Sequence, residues 1–199
     1  MFSATSRSHP GVIGASILSA LLFQLIARQQ LADVFDVGLE LVRVAAVAAQ
    51  YNTIMTVAHG LLSLQPLEPI KATLLIDLGT SYRRLGQTTA ARNMYSMGQV
   101  VAEAAQIRQE HARALHGLSA CSLEDKDYLK ASQEAKLATA LYQQGEPLYW
   151  LAQQNLGIAY LHTNRPSEGM DILERCSLFW ELQHNTDAKL SVLEEMVGQ

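Results

Sequence analysis

Residues 78–95, LGTSYRRLGQTTAARNMY, decide the fold. Leu78 and Gly79 are followed by Tyr82 about one helical turn on, then by Gly86, Ala91 and Tyr95. Residues 156–173, LGIAYLHTNRPSEGMDIL, keep the same spacing with Leu156, Gly157, Tyr160, Asn164, Gly169 and Leu173. The offset of 78 residues is two periods of about 39. Half-way between lie Leu118, Ser119 and Ser122, then Lys126-Asp127-Tyr128 and Ala131, Ala135 and Ala138. One period earlier come Leu41 and Ala45, then Tyr51, Ile54, Ala58 and Leu61, closed by Pro66.

Such a unit reads as a helical hairpin. Helix A carries a large residue, a small one (Gly79, Ser119, Gly157) and an aromatic one a turn later. The small residue lets a neighbouring helix come close, and Tyr82 or Tyr160 is expected to fill the resulting gap. Gly86-Gln87 and Asn164-Arg165-Pro166 supply the turn. Helix B then sets Ala91, Ala131 or Gly169 against helix A, and Ala131, Ala135 and Ala138 form an i, i+4, i+7 stripe. No β-branched alternation or Asn-Gly hairpin turn argues for strands. Helices are predicted near 12–29, 33–48, 51–63, 68–84, 88–105, 107–123, 128–143, 147–162, 166–182 and 187–197.

Composition fits this reading. The chain has 199 residues, 49% of them hydrophobic and 17% charged, so it can bury a core. Its formal charge of −4 argues against a direct nucleic-acid module, which needs a basic face. Residues 71–113 hold six basic against three acidic residues, and residues 166–199 hold seven acidic against two basic. Such polarity can steer a partner or set register between subunits, or can simply solvate the surface. Residues 11–27 are uncharged and mostly apolar. They read as a buried helix, with an oligomer or partner face and a secretion signal or membrane anchor as alternatives; a membrane role is disfavoured by their length and interruptions. Cys121 and Cys176, 55 positions apart, make no disulfide framework.

The quoted motifs resemble the tetratricopeptide repeat family over about residues 35–186, in about four hairpins. Residues 78–95 match well and the others in part. The usual helix-A Trp position holds Gly38, Leu75, Leu115 and Gln153, and the unit is 37–40 residues rather than 34. The long units are similar to a bacterial regulatory type. The resemblance implies an all-α, right-handed superhelical solenoid of antiparallel helix hairpins. Residues 1–34 are expected to be an apolar cap or contact helix and 187–199 a half-unit helix. It also implies a concave groove lined by the A helices. Carried onto this chain, the groove positions give Asp36, Leu39, Glu40 and Arg43, then Thr73, Ile76, Asp77, Thr80, Arg83 and Arg84. Further along they give Arg113, His116 and Ala120, then Leu151, Gln154, Asn155, Ile158 and His162. Cations and amides suit an extended peptide or an acidic tail. The family's carboxylate clamp for chaperone tails is not expected: only Asn155 sits where that clamp needs its residue.

Catalytic constellations are not apparent. The six histidines form no His-Glu-x-x-His, and no phosphate loop or nucleophile elbow occurs. Glu124, Asp125 and Asp127 lack calcium-loop spacing and read as a helix cap. No cofactor and no metal is expected. The expected function is a non-enzymatic, cytoplasmic protein- or peptide-binding scaffold. The alternatives are a regulatory segment of a transcriptional or signalling protein, and a self-assembling structural protein, the N-terminal helix being the expected contact of any homo-oligomer. Replacing Arg83 and Arg84 together by Glu is expected to leave stability nearly intact and to abolish partner capture. Gly157→Leu is expected to unfold the fourth unit.

Overall fold

The computed structural model describes residues 10–27 and 31–197, which form ten helices and no strand among the described residues. They are α1 (Pro10–Ala27), α2 (Leu31–Val47), α3 (Tyr51–Ser63), α4 (Glu68–Arg84), α5 (Thr88–Ala104), α6 (Arg108–Glu124), α7 (Tyr128–Leu141), α8 (Pro147–Leu161), α9 (Pro166–Leu182) and α10 (Thr186–Val197). Residues 28 and 29 of the first predicted helix lie outside the described residues. The chain is an all-α solenoid in which each helix packs on the next, and α4, α6 and α8 also touch one another as a layer.

The regularity comes from the turns. Helices α4, α5 and α6 each have 17 residues and are separated by three-residue loops. Each loop places one residue in the left-handed region: Gly86 (φ 74°), Gln106 (φ 57°) and Lys126 (φ 59°). The amide after it donates back to the helix, from Gln87 to Tyr82, from Ile107 to Ala102 and from Asp127 to Ser122, at 2.8–2.9 Å. These bonds satisfy end carbonyls and reverse the chain within a few residues. Prolines at the first turns of α4, α8 and α9 cost no helix bond there. Asp127 accepts from the Lys130 amide and Asn185 from the Ala188 amide, so the Asp127 end of the acidic cluster is a helix cap. Helix α7 stops at Leu141, where the Arg108 side chain donates to the Leu141 carbonyl at 2.7 Å.

The core is a row of local clusters rather than one centre. One joins α1 to α4, another α4 to α6 through Ile76, Tyr95 and Leu118, and a third α8 to α10 through Leu173, Trp180 and Val192. Each unit is thus buried by its neighbours. Trp150 and Phe179 stack at 5.0 Å and Tyr149 meets Trp150 edge-on, so these aromatics pack the core.

One packing expectation needs correction. Tyr95, not Tyr82, fills the gap at Gly79. A Cβ built on Gly79 meets the Tyr95 ring at 2.7 Å, and one on Gly117 meets the same ring at 2.3 Å. The ring of α5 is therefore held against glycines of α4 and α6. Tyr82 instead reaches back to α3, its hydroxyl 3.1 Å from His59 Nε2. At Gly157 the filler is Leu173, 2.8 Å from a built Cβ, not Tyr160. A residue three positions on from a glycine lies a turn further along the helix. The gap at the glycine itself is filled from the opposing helix.

Candidate partner-binding groove

Helices α2, α3, α4 and α6 enclose a cleft of about 490 Å3. Helix α2 touches α4 less closely than α4 touches α6 or α6 touches α8, and this splay opens the cleft. Its apolar floor is Leu39, Val42, Ala46, Tyr51 and Ile54, and its polar walls are Arg43, Thr73, Asp77, Thr80, Ser81, Arg84 and Arg113. Six of the sequence-predicted partner residues, Arg43, Thr73, Asp77, Thr80, Arg84 and Arg113, thus meet around one space. The apolar floor was largely missed. Only Leu39 was anticipated, and Tyr51 is contributed by a B helix that groove counting omits.

The cations differ in how committed they are. Arg113 donates to Asp77 Oδ1 and to Glu110 Oε2, each at 2.7 Å, so one guanidinium holds two carboxylates. Burial pushes the pKa of Asp77 and of Glu110 above the usual carboxylate range, although Arg113 pulls both down. Arg43 donates to Glu40 at 2.8 Å on an exposed part of α2, and Asp36 is exposed nearby in sequence. Arg84 is exposed at the cleft and makes no ion pair among the described residues. Its guanidinium is the one most available to an incoming carboxylate. Thr80 accepts from Tyr95 at 3.0 Å and donates to the Ile76 carbonyl, which ties the cleft wall to the aromatic plug behind it.

The remaining predicted residues hold the layer together. Arg83 points away from Arg84, donates to Glu124 at 3.0 Å and lies only 23% exposed. The expectation that replacing both arginines spares stability is therefore corrected: Glu at position 83 would face Glu124 in a half-buried setting. Asn155 of α8 donates to Ser119 of α6 at 2.8 Å, and Gln154 donates to Ser191 of α10 at 3.3 Å. With Arg113–Asp77 and Arg83–Glu124, these give at least one polar tie between each successive pair of A helices from α4 to α10. His116 is half-buried, and desolvation, with Arg83 and Arg113 nearby, lowers its pKa to about 4. His162 is exposed and stacks on Tyr128 at 4.3 Å, at the loop edge of the solenoid.

No group of three or more potential metal ligands clusters among the described residues. Cys121 and Cys176 are free and buried, and burial pushes their thiols up to about 11 and about 12, away from the reactive thiolate. Among the described residues no helix is long and apolar enough to cross a membrane.

No protein-family model matches the sequence, and no curated protein matches it. Solved structures do resemble the fold. Two crystal structures of a Podosopora anserina protein assigned as a kinesin light chain, with nearly identical TPR-like repeats, align over 94% of this chain. One, a variant, is covered over 84% of its length with a TM-score of 0.53, and the other over 85% with 0.52. Both are 14% identical to this chain, a likeness of fold and not of detail. The fold is that of a TPR-like repeat solenoid.

Proposed function

We propose that this protein is a non-enzymatic scaffold that captures an extended protein segment in the cleft between α2, α4 and α6. The observation that carries the reading is an unpaired Arg84 over an apolar floor, in a cleft of about 490 Å3. Arg84 would take a carboxylate, the Leu39–Val42–Ile54 floor an apolar side chain, and Thr73 a hydrogen bond from or to the peptide backbone. Rigid stacking lowers the ordering cost, because the polar ties between A helices hold the walls before a partner arrives. Asp36, Glu40 and Arg43 extend the same surface along α2, while His116, Gln154, Asn155 and His162 act, in this reading, mainly through the shape of the layer. A cytoplasmic setting belongs to this reading, since two free buried thiols need no oxidising compartment.

The test is a phage-displayed peptide library panned on the full chain. Enriched peptides are expected to pair an apolar residue with an acidic one and to lose at least about tenfold in affinity for Arg84→Glu. Enrichment indifferent to Arg84→Glu, or none at all, would reject the cleft as the site.

A further inference from the structure

Helix α4 presents Thr73, Asp77, Thr80 and Arg84 to the cleft. Steps of four, three and four residues put all of them on one face of the helix. Arg84 stands seven residues, or two turns, beyond Asp77, which is about 10.5 Å along the axis. The two ends of this stripe differ in charge.

The charged side chains that line the cleft are Arg43, Asp77, Arg84 and Arg113. Glu40 answers Arg43 one to one. At one end Arg84 is exposed and makes no ion pair among the described residues, so a positive charge is left over there. At the other end the balance reverses. Asp77 and Glu110 share the single guanidinium of Arg113, at 2.7 Å each, so one cation answers two carboxylates and a negative charge is left over. The Asp77 side chain is 20% and the Glu110 side chain 15% exposed, so water compensates that excess only in part. Burial pushes the Glu110 pKa up against the pull of Arg113, and the charge of Asp77 adds to the rise.

We propose that the cleft reads a dipolar segment, with an acidic side chain on Arg84 and a Lys or Arg side chain on Asp77. This deepens the capture reading given above and rests on it. A segment with acidic groups alone would satisfy Arg84 and bring like charge to Asp77, and a basic one would do the reverse. One group of each sign complements both ends, and the incoming cation becomes the second for the two carboxylates. An extended chain advances about 3.3 Å per residue, so the two charges stand about three residues apart. An apolar residue between them faces the Leu39–Val42–Ile54 floor.

Peptides enriched by panning on the full chain are the probes. Each is expected to carry Lys or Arg about two to four positions from its acidic residue. In titration calorimetry, replacing that basic residue by Ala should weaken binding to the wild type at least about tenfold, and to Asp77→Asn less than about twofold. Replacing the acidic residue by Ala should cost the same against both proteins. Glu110→Gln also removes the excess charge and should also shrink the effect of the basic residue, which keeps the test decisive if Asp77→Asn does not fold. Peptides that need Arg84 but carry no basic residue overturn the dipolar reading and leave the cleft as the capture site. So does a basic residue whose loss costs the same against wild type, Asp77→Asn and Glu110→Gln. No enrichment, or enrichment indifferent to Arg84→Glu, removes the cleft and the dipolar reading together.

Discussion

The helix interface around Tyr95 and the one around Gly60 use the same residue type to opposite ends. Between α4, α5 and α6, two glycines make room and one buried ring fills it, from Gly79 on one side to Gly117 on the other. Between α1 and α3 a Cβ built on Gly60 meets nothing within 4 Å among the described residues. The first arrangement closes the stack on itself. The second leaves an uncharged surface facing outward. A small residue in a repeat therefore reports close approach, and only the opposing element tells whether the approach is internal.

The strongest way to break the first region is Tyr95→Ala. It empties a site touched by three helices and should lower stability by about 3–5 kcal/mol in urea unfolding. Tyr95→Phe keeps the ring and loses the hydroxyl that bonds Thr80, an effect of about 1 kcal/mol. A loss for Tyr95→Ala no larger than for Tyr95→Phe would mean that the ring does not hold the stack.

Gly157→Leu comes next, at about 3 kcal/mol, because the new side chain meets Leu173 and also the Gly169 carbonyl, 3.2 Å from a built Cβ. Thermal unfolding followed by tryptophan fluorescence reads it locally, since Trp150 and Trp180 belong to the same cluster. An unchanged midpoint would remove the close α8–α9 approach.

His116 gives a pH-dependent probe. Its pKa is about 4 in the fold against 6.5 when free, so the unfolded chain binds more proton between those values. Stability is therefore expected to fall on acidification from pH 6.5, by about 1–2 kcal/mol at pH 5. Asp77 and Glu110, whose pKa values are raised, bind more proton folded than unfolded and oppose this trend further into the acid range. His116→Gln should flatten the profile between pH 6.5 and 5. A slope that stays the same in the variant assigns it to other groups.

A smaller gain is available at the turns. Lys126 holds φ 59° where Gly86 holds the equivalent place one unit earlier. Lys126→Gly should stabilise by up to about 1 kcal/mol in thermal unfolding, and a loss there would mean that the lysine side chain supports the turn.

Much of the fold was legible because its signals are local. Gly86, Pro166 and the alanine stripe of α7 fix helix ends and buried faces from sequence alone, and the helices from α3 to α9 follow the expected spans within two residues. The candidate site was less so. Arg83 and Arg84 are neighbours in sequence but about 100° apart around a helix, so one ties to Glu124 and the other opens on the cleft. The splay of α2 from α4, which makes the cleft, depends on packing between units. Tyr95 ends the motif in sequence, whereas its contact with Gly117 joins residues 22 positions apart on different helices.

A paired substitution measures the contrast between the two regions most directly. Gly117→Ala and Gly60→Ala, melted side by side, add the same methyl group to a helix. The closed site has a ring 2.3 Å from the new carbon and the open site has nothing within 4 Å. Gly117→Ala is expected to lower the melting temperature, and Gly60→Ala to raise it, since the helix propensity of alanine adds up to about 1 kcal/mol of stability. Two shifts of the same sign would contradict the account.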